Sequence, residues 1–103
     1  MKDGVVRLDK WLWFARFCRS RGGARELVEA GRIRVNRVAT AKPATALKRG
    51  DVLTFALGPH VRVVRVMELG NRRGPPSEAR SLYDDLAPPP GRSAPLLQEK
   101  RAG

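Results

Sequence analysis

Leu8, Trp11, Leu12 and Ala15 fall at i, i+3, i+4 and i+7, the spacing that puts side chains on one helical face. This predicts a first helix from about Asp9 to Cys18, with Asp9 as its N-cap. Trp13, Phe14 and Phe17 widen the apolar surface, and Lys10 and Arg16 occupy the remaining arc. A second helix is predicted from a Ser20 N-cap to Gly31, a residue suited to the left-handed position after a helix. Ala24, Leu27 and Val28 form its buried stripe, while Arg21 and Arg25 stack one turn apart on the outer face. Gly22 and Gly23 each cost up to ~1 kcal/mol of helix propensity. Either they admit another backbone at close range or the first turn frays.

From Arg32 the period changes to two. Arg32-Ile33-Arg34-Val35-Asn36 alternates as a half-buried strand does, and Asn36-Arg37 reads as a turn. Thr40 to Gly50 is expected to be loop, with Lys48-Arg49-Gly50-Asp51 turning tightly into a strand whose inner face is Leu53, Phe55 and Leu57. Gly58-Pro59 breaks that strand, and a third is predicted over Val61–Leu69. Its apolar phase slips between Val63 and Val64, which suggests a bulge. After a basic Gly/Pro loop, Ser77 is placed as the cap of a short helix with the stripe Ala79, Leu82, Tyr83 and Leu86. Residues from 88 onward are Pro-rich, small or charged, and a flexible tail is expected there. The class is therefore α+β: two N-terminal helices on a small, mostly antiparallel sheet, then a short helix and a tail. The corresponding units are 5–69, 70–87 and 88–103.

Charge changes this picture more than composition does. The formal net charge is +11 over 103 residues. The stretch from Arg7 to Lys42 holds ten Lys/Arg against three Asp/Glu, laid over both helices and a strand. So dense a surplus on outward positions calls for a polyanion, and the predominance of Arg favours bidentate phosphate contacts. A basic helix lying on an anionic membrane would confine the charge to that helix. Here it continues through strand and loop. The four aromatics of the first helix read as core, with Trp13 the most credible candidate for stacking on a base.

Catalysis finds little support. Cys18 and His60 are the only cysteine and histidine, so neither an internal disulfide nor a Cys/His metal cluster can be assembled. Cys18 reads as a small buried hydrophobe and His60 as an exposed turn residue. Glu26 and Glu29 are placed as ion-pair partners of nearby arginines, Asp51 in a turn, and Asp84 and Asp85 on an exposed helix end. No nucleophile–base pair or carboxylate pair emerges, and no cofactor is called for. No apolar run suits a signal peptide or membrane span, so a cytoplasmic location is expected.

Taken together, Ser20-Arg21, Ala24, Arg25, Leu27, Val28, Gly31, Ile33, Val35, Asn36, Lys42-Pro43 and Gly50-Asp51 resemble the small RNA-binding domain named after ribosomal small-subunit protein S-four. Arg7-Leu8-Asp9-Lys10-Trp11-Leu12-Trp13, Arg72-Arg73, Pro76-Ser77-Glu78-Ala79 and Leu82-Tyr83 extend this to a resemblance with the bacterial heat-shock protein fifteen family. These are ribosome-associated stress proteins. The resemblance covers about residues 5–87. It implies that helix two with the adjoining strand and loop faces ribosomal RNA. It also implies a target, the free large subunit still carrying nascent chain on tRNA, and a role in its rescue or recycling. The RNA-binding candidates are Lys10, Arg16, Ser20, Arg21, Arg25, Arg32, Arg34, Asn36, Arg37 and Lys42. The protein is expected to be a monomer when free. A nucleic-acid-binding regulator and a constitutive ribosomal component remain alternatives. Two departures stand out: Arg37 replaces the Gly usual after Asn, which leaves the turn type open, and a short Pro-rich tail replaces a longer basic helical extension.

Overall fold

The computed structural model describes residues 4–87; residues 1–3 and 88–103, including the expected tail, lie outside the described residues. In chain order the elements are β1 (Val6–Arg7), α1 (Leu8–Phe14), α2 (Arg21–Glu29), β2 (Ile33–Val35), β3 (Val38–Thr40), β4 (Ala46–Leu47), β5 (Val52–Leu57), β6 (His60–Val66), α3 (Pro76–Ala79), a turn of 3₁₀ helix at Arg80–Leu82, and β7 (Tyr83–Asp85). Five strands form one sheet in the order β3-β2-β5-β6-β7, and β1 pairs with β4. Every pairing is antiparallel. The α+β class expected from the sequence is the observed one.

The helices supply one layer of the core and the sheet the other. Leu8, Trp11, Leu12 and Phe14 of α1, with Ala24 and Val28 of α2, pack against Ile33, Leu53, Phe55, Val64 and Val66. Trp11 is fully buried, and its Nε1 donates to the Glu68 carbonyl at 2.9 Å, so its one polar atom is satisfied. The core reading of Trp11 and Phe14 holds; Trp13 and Phe17 are half-buried at the margin. α2 is as expected: Ser20 Oγ accepts from Gly23 N at 2.9 Å, and Gly31 takes a φ of +74° beyond the C-terminus. A Cβ on Gly23 would sit 3.3 Å from Ser20 Oγ, so this glycine leaves room for the cap itself.

Four expectations are corrected. α1 stops at Phe14, not Cys18, because Arg16 adopts a left-handed φ of +65°. Trp13 O accepts from Arg16 N at 3.1 Å, and the distant 70–75 loop adds to this end: Arg73 Nε donates to Trp13 O at 3.2 Å and Arg73 Nη2 to Cys18 O at 3.4 Å. At the other end Arg7 is the N-cap residue, and Asp9 lies inside the first turn with its side chain buried. The third long strand is His60–Val66 and has no bulge, since its register with β5 runs unbroken from Leu57↔His60 to Val52↔Arg65. The apparent phase slip arises because Arg62 takes an inward-facing position, where Asp85 meets it at 2.7 Å. Finally, the predicted Ser77-capped helix is a four-residue turn with Pro75 as N-cap, and Tyr83–Asp85 pairs with β6 as an edge strand.

Candidate nucleic-acid interface

The N-terminus of α1 organises the first part of the basic region. Leu8 N donates to Thr45 O at 2.8 Å and Asp9 N to Pro43 O at 3.2 Å, docking the loop that carries Lys42. Asp9 is buried beneath this junction. Arg7 donates to both of its carboxylate oxygens, at 3.0 and 3.1 Å, and Arg21 approaches to 3.7 Å. Burial raises the Asp9 pKa, but the bonds and charge of Arg7, then the charge of Arg21, outweigh it and hold the carboxyl below its ordinary value. One buried carboxylate therefore positions two exposed guanidiniums. Thr40 Oγ1 lies 3.0 Å from Thr45 Oγ1, while Thr40 pairs with Ile33 across the sheet. Arg32 thus enters β2 beside the Lys42 loop.

The β2–β3 hairpin forms the second part. Val35 pairs with Val38, so only Asn36 and Arg37 make the turn, with φ values of +52° and +75°. Positive φ at both central residues is the geometry usually served by Asn-Gly. Replacing Gly by Arg37 has kept these φ signs, leaving an arginine in a conformation that costs L-residues roughly 1–2 kcal/mol. Asn36 holds the turn in place: its Nδ2 donates to Asp51 Oδ1 at 3.0 Å, and its Oδ1 accepts from Val52 N at 2.9 Å. Asp51 is buried and also accepts from Lys48 N at 3.0 Å and Lys48 Nζ at 3.2 Å. Burial pushes its pKa up, yet the bonds from Lys48 and Asn36 win and leave it lowered.

The ten sequence candidates are not equivalent in this setting. Arg32, Arg34, Arg37 and Lys42 are exposed and Lys10 is half-buried, and none of the five has an ion-pair partner among the described residues. Arg34 makes only a long contact to Arg37 O at 3.5 Å. Arg21 and Arg25 are exposed but carry acidic neighbours, Arg25 Nε lying 3.5 Å from Glu29. Ser20 Oγ is occupied by its cap, and the Asn36 amide by the Asp51 carboxylate and Val52 N, so both are engaged within the fold. Arg16 is turned away, donating to Gly74 O at 2.7 Å. Strand alternation places Arg34 on the sheet face opposite the buried Ile33, so the charge wraps the β2–β3 end of the sheet and does not share one flat face.

Sequence reasoning passed over Arg7 and Arg19, both exposed; the i,i+2 pairing of Arg7 with Asp9 has no periodic signature. His60 is half-buried at the start of β6, where an exposed turn residue was expected. Cys18 is also half-buried, and burial pushes its thiol pKa up, away from reactivity. Among the described residues no group of His, Cys, Asp and Glu could hold a metal ion, and no helix is long and apolar enough to cross a membrane.

Comparison with known proteins places this arrangement. The S4 domain family matches residues 6–53, the segment that contains both parts of the basic region. Heat shock protein 15 of Escherichia coli K12 is 42% identical over 82 residues, spanning 80% of this chain and 61% of that protein. The chain thus spans about three-fifths of the length of that relative. The RQC P-site tRNA stabilizing factor of Listeria monocytogenes is 44% identical over 65 residues, 63% of this chain and 70% of that one. A solved trimeric structure of Vibrio cholerae heat shock protein 15 superposes with a TM-score of 0.76 at 36% identity, covering 81% of this chain and 83% of its own. With an S4 domain in its N-terminal half and this likeness in sequence and structure, the chain belongs to the heat shock protein 15 family.

Proposed function

We propose that this chain is a ribosome-associated RNA-binding protein without chemistry of its own. It recognises structured ribosomal RNA on free large subunits that still carry a nascent chain on tRNA, and takes part in rescuing those particles under stress. The observation that carries this reading is the run of exposed cations at Arg32, Arg34, Arg37 and Lys42 without carboxylate partners among the described residues. Unneutralised guanidiniums on a rigid hairpin suit backbone phosphates, whose contacts fix register and not sequence. Arg21 and Arg25 join this set by exchanging a weak acidic contact for phosphate, with Lys10 at its margin. The relatives named for heat shock and for stabilising P-site tRNA support the rescue setting. The reading assigns a cytoplasmic location and a monomeric free protein, although the Vibrio relative is trimeric; light scattering of the free protein decides that point.

Sucrose-gradient fractionation after heat stress tests the proposal. Enrichment on free large subunits supports rescue, whereas uniform presence on translating ribosomes indicates a constitutive component. Preference for duplex DNA over ribosomal RNA at physiological salt would instead make the chain a DNA-binding regulator.

A further inference from the structure

Well away from the hairpin, a cavity of about 660 Å³ opens between the end of α1, the β5–β6 hairpin and the α3–β7 segment. Its lining includes Arg16, Phe17, Arg62, Arg80, Tyr83 and Asp85. Three guanidiniums against one carboxylate make it a cationic cavity, and its volume is in the range of small-ligand sites. Arg16 and Arg80 are exposed at its rim, with no ion pair among the described residues. Arg62 and Asp85 form a single short contact, Nη2 to Oδ2 at 2.7 Å, where a side-on pair would form two. Arg62 Nε and Asp85 Oδ1 are consequently buried without any partner. Buried polar atoms are rarely left so, and here a donor and an acceptor stand vacant on adjacent groups. Phe17 cannot offer a free ring face, being packed by Phe55 at 5.1 Å, Tyr83 at 4.6 Å and the Arg62 guanidinium at 5.2 Å. Tyr83, half-buried on the edge strand, meets Phe17 at 4.6 Å and Trp11 edge-on at 6.4 Å, and its remaining surface lines the cavity.

We propose that this cavity takes one unstacked nucleotide of the bound RNA. The base stacks on Tyr83 and offers its hydrogen-bonding edge to Arg62 Nε and Asp85 Oδ1, while Arg16 and Arg80 hold the phosphate. This rests on the chain being an RNA-binding protein, but not on the hairpin making the principal contacts. It adds an element of base readout to a surface that otherwise reads only backbone.

The four nucleoside 5′-monophosphates, titrated one at a time into the isotope-labelled full chain, test it by NMR, with inorganic phosphate as the control. The expected result is saturable shifts at the Arg62 Nε–H and the Tyr83 ring, several-fold tighter for one base than for the others. Arg80→Ala, at an exposed position, should weaken this binding about 5- to 10-fold with the fold unchanged. Silence at Arg62 and Tyr83, or the same shifts with inorganic phosphate alone, would overturn the proposal. An Arg34→Ala/Arg37→Ala chain separates it from the function above. That chain should retain the cavity shifts while losing affinity for ribosomal RNA; loss of the cavity shifts as well would count against a separate site.

Discussion

Arg34 and Arg62 come from strands of the same sheet, and their fates are opposite. Arg62 turns inward with 13% of its side chain exposed and meets Asp85 at 2.7 Å. Arg34 stays in solvent with no carboxylate near it. The contrast extends along the chain. From Lys48 onward, Lys48, Arg49, Arg62, Arg65 and Arg72 each have a carboxylate within 4.0 Å. Before it, Lys10, Arg16, Arg19, Arg32, Arg34, Arg37 and Lys42 have none among the described residues. The later region spends most of its cations on carboxylates, Arg73 and Arg80 excepted, whereas the earlier one pairs only Arg7, Arg21 and Arg25 and leaves most of the rest available. Net charge already separates the two regions, with ten Lys/Arg against three Asp/Glu over residues 7–42 and seven against five over residues 48–87, and the pairing shows why.

The largest break in this comparison should come from Arg62→Ala. It strands a partly buried Asp85 and uncovers Phe17, and an expected loss of about 2–4 kcal/mol would be read by urea unfolding. Arg34→Ala should stay within about 0.5 kcal/mol of the parent in the same assay. Equal losses would mean that the two arginines are not used differently. Arg34→Ala/Arg37→Ala should reverse the ranking for RNA: two fewer phosphate contacts reduce the steepness of log K against log salt by about 1.4–1.8. Acid should act on the carboxylates that brace the basic region. Asp9 and Asp51 have lowered pKa values, so their contribution is complete above the unfolded value near 3.9 and disappears as pH falls through the folded values below it. An unfolding midpoint followed from pH 5 to pH 2 should decline on that limb, and Asp51→Asn should flatten it. The smallest effect sharpens the comparison most. Arg37→Gly should relieve about 1 kcal/mol of backbone strain and raise the melting temperature by a few degrees while weakening RNA binding. A variant that gained stability without losing affinity would show that Arg37 makes no contact with the RNA.

The two helices, the Ser20 cap and the Leu53–Phe55 strand were legible because periodicity, capping chemistry and burial agree there. Where they disagreed, tertiary contacts decided. Tyr83 and Leu82 fit a helical stripe, but the exposed edge of β6 offers Tyr83–Asp85 a ladder, and pairing wins over a weak local preference. The end of α1 turns on the left-handed Arg16 and is braced by Arg73, some sixty residues away, which no local pattern announces. Strands β1, β3 and β4 are only two or three residues long, too short for alternation to register. Within the candidate site, which residues are basic was plain, but which of them are free was not. Asp9 binding Arg7 and Arg21, Gly74 capturing Arg16, and the Asn36–Asp51 bond are consequences of folding.

The most direct test is the salt dependence of binding to a large-subunit RNA fragment. If Arg21, Arg25, Arg32, Arg34, Arg37 and Lys42 each engage one phosphate, log K should fall against log salt with a slope of about −4 to −5. A slope near zero would contradict the claim that these exposed cations exist to meet a phosphate backbone.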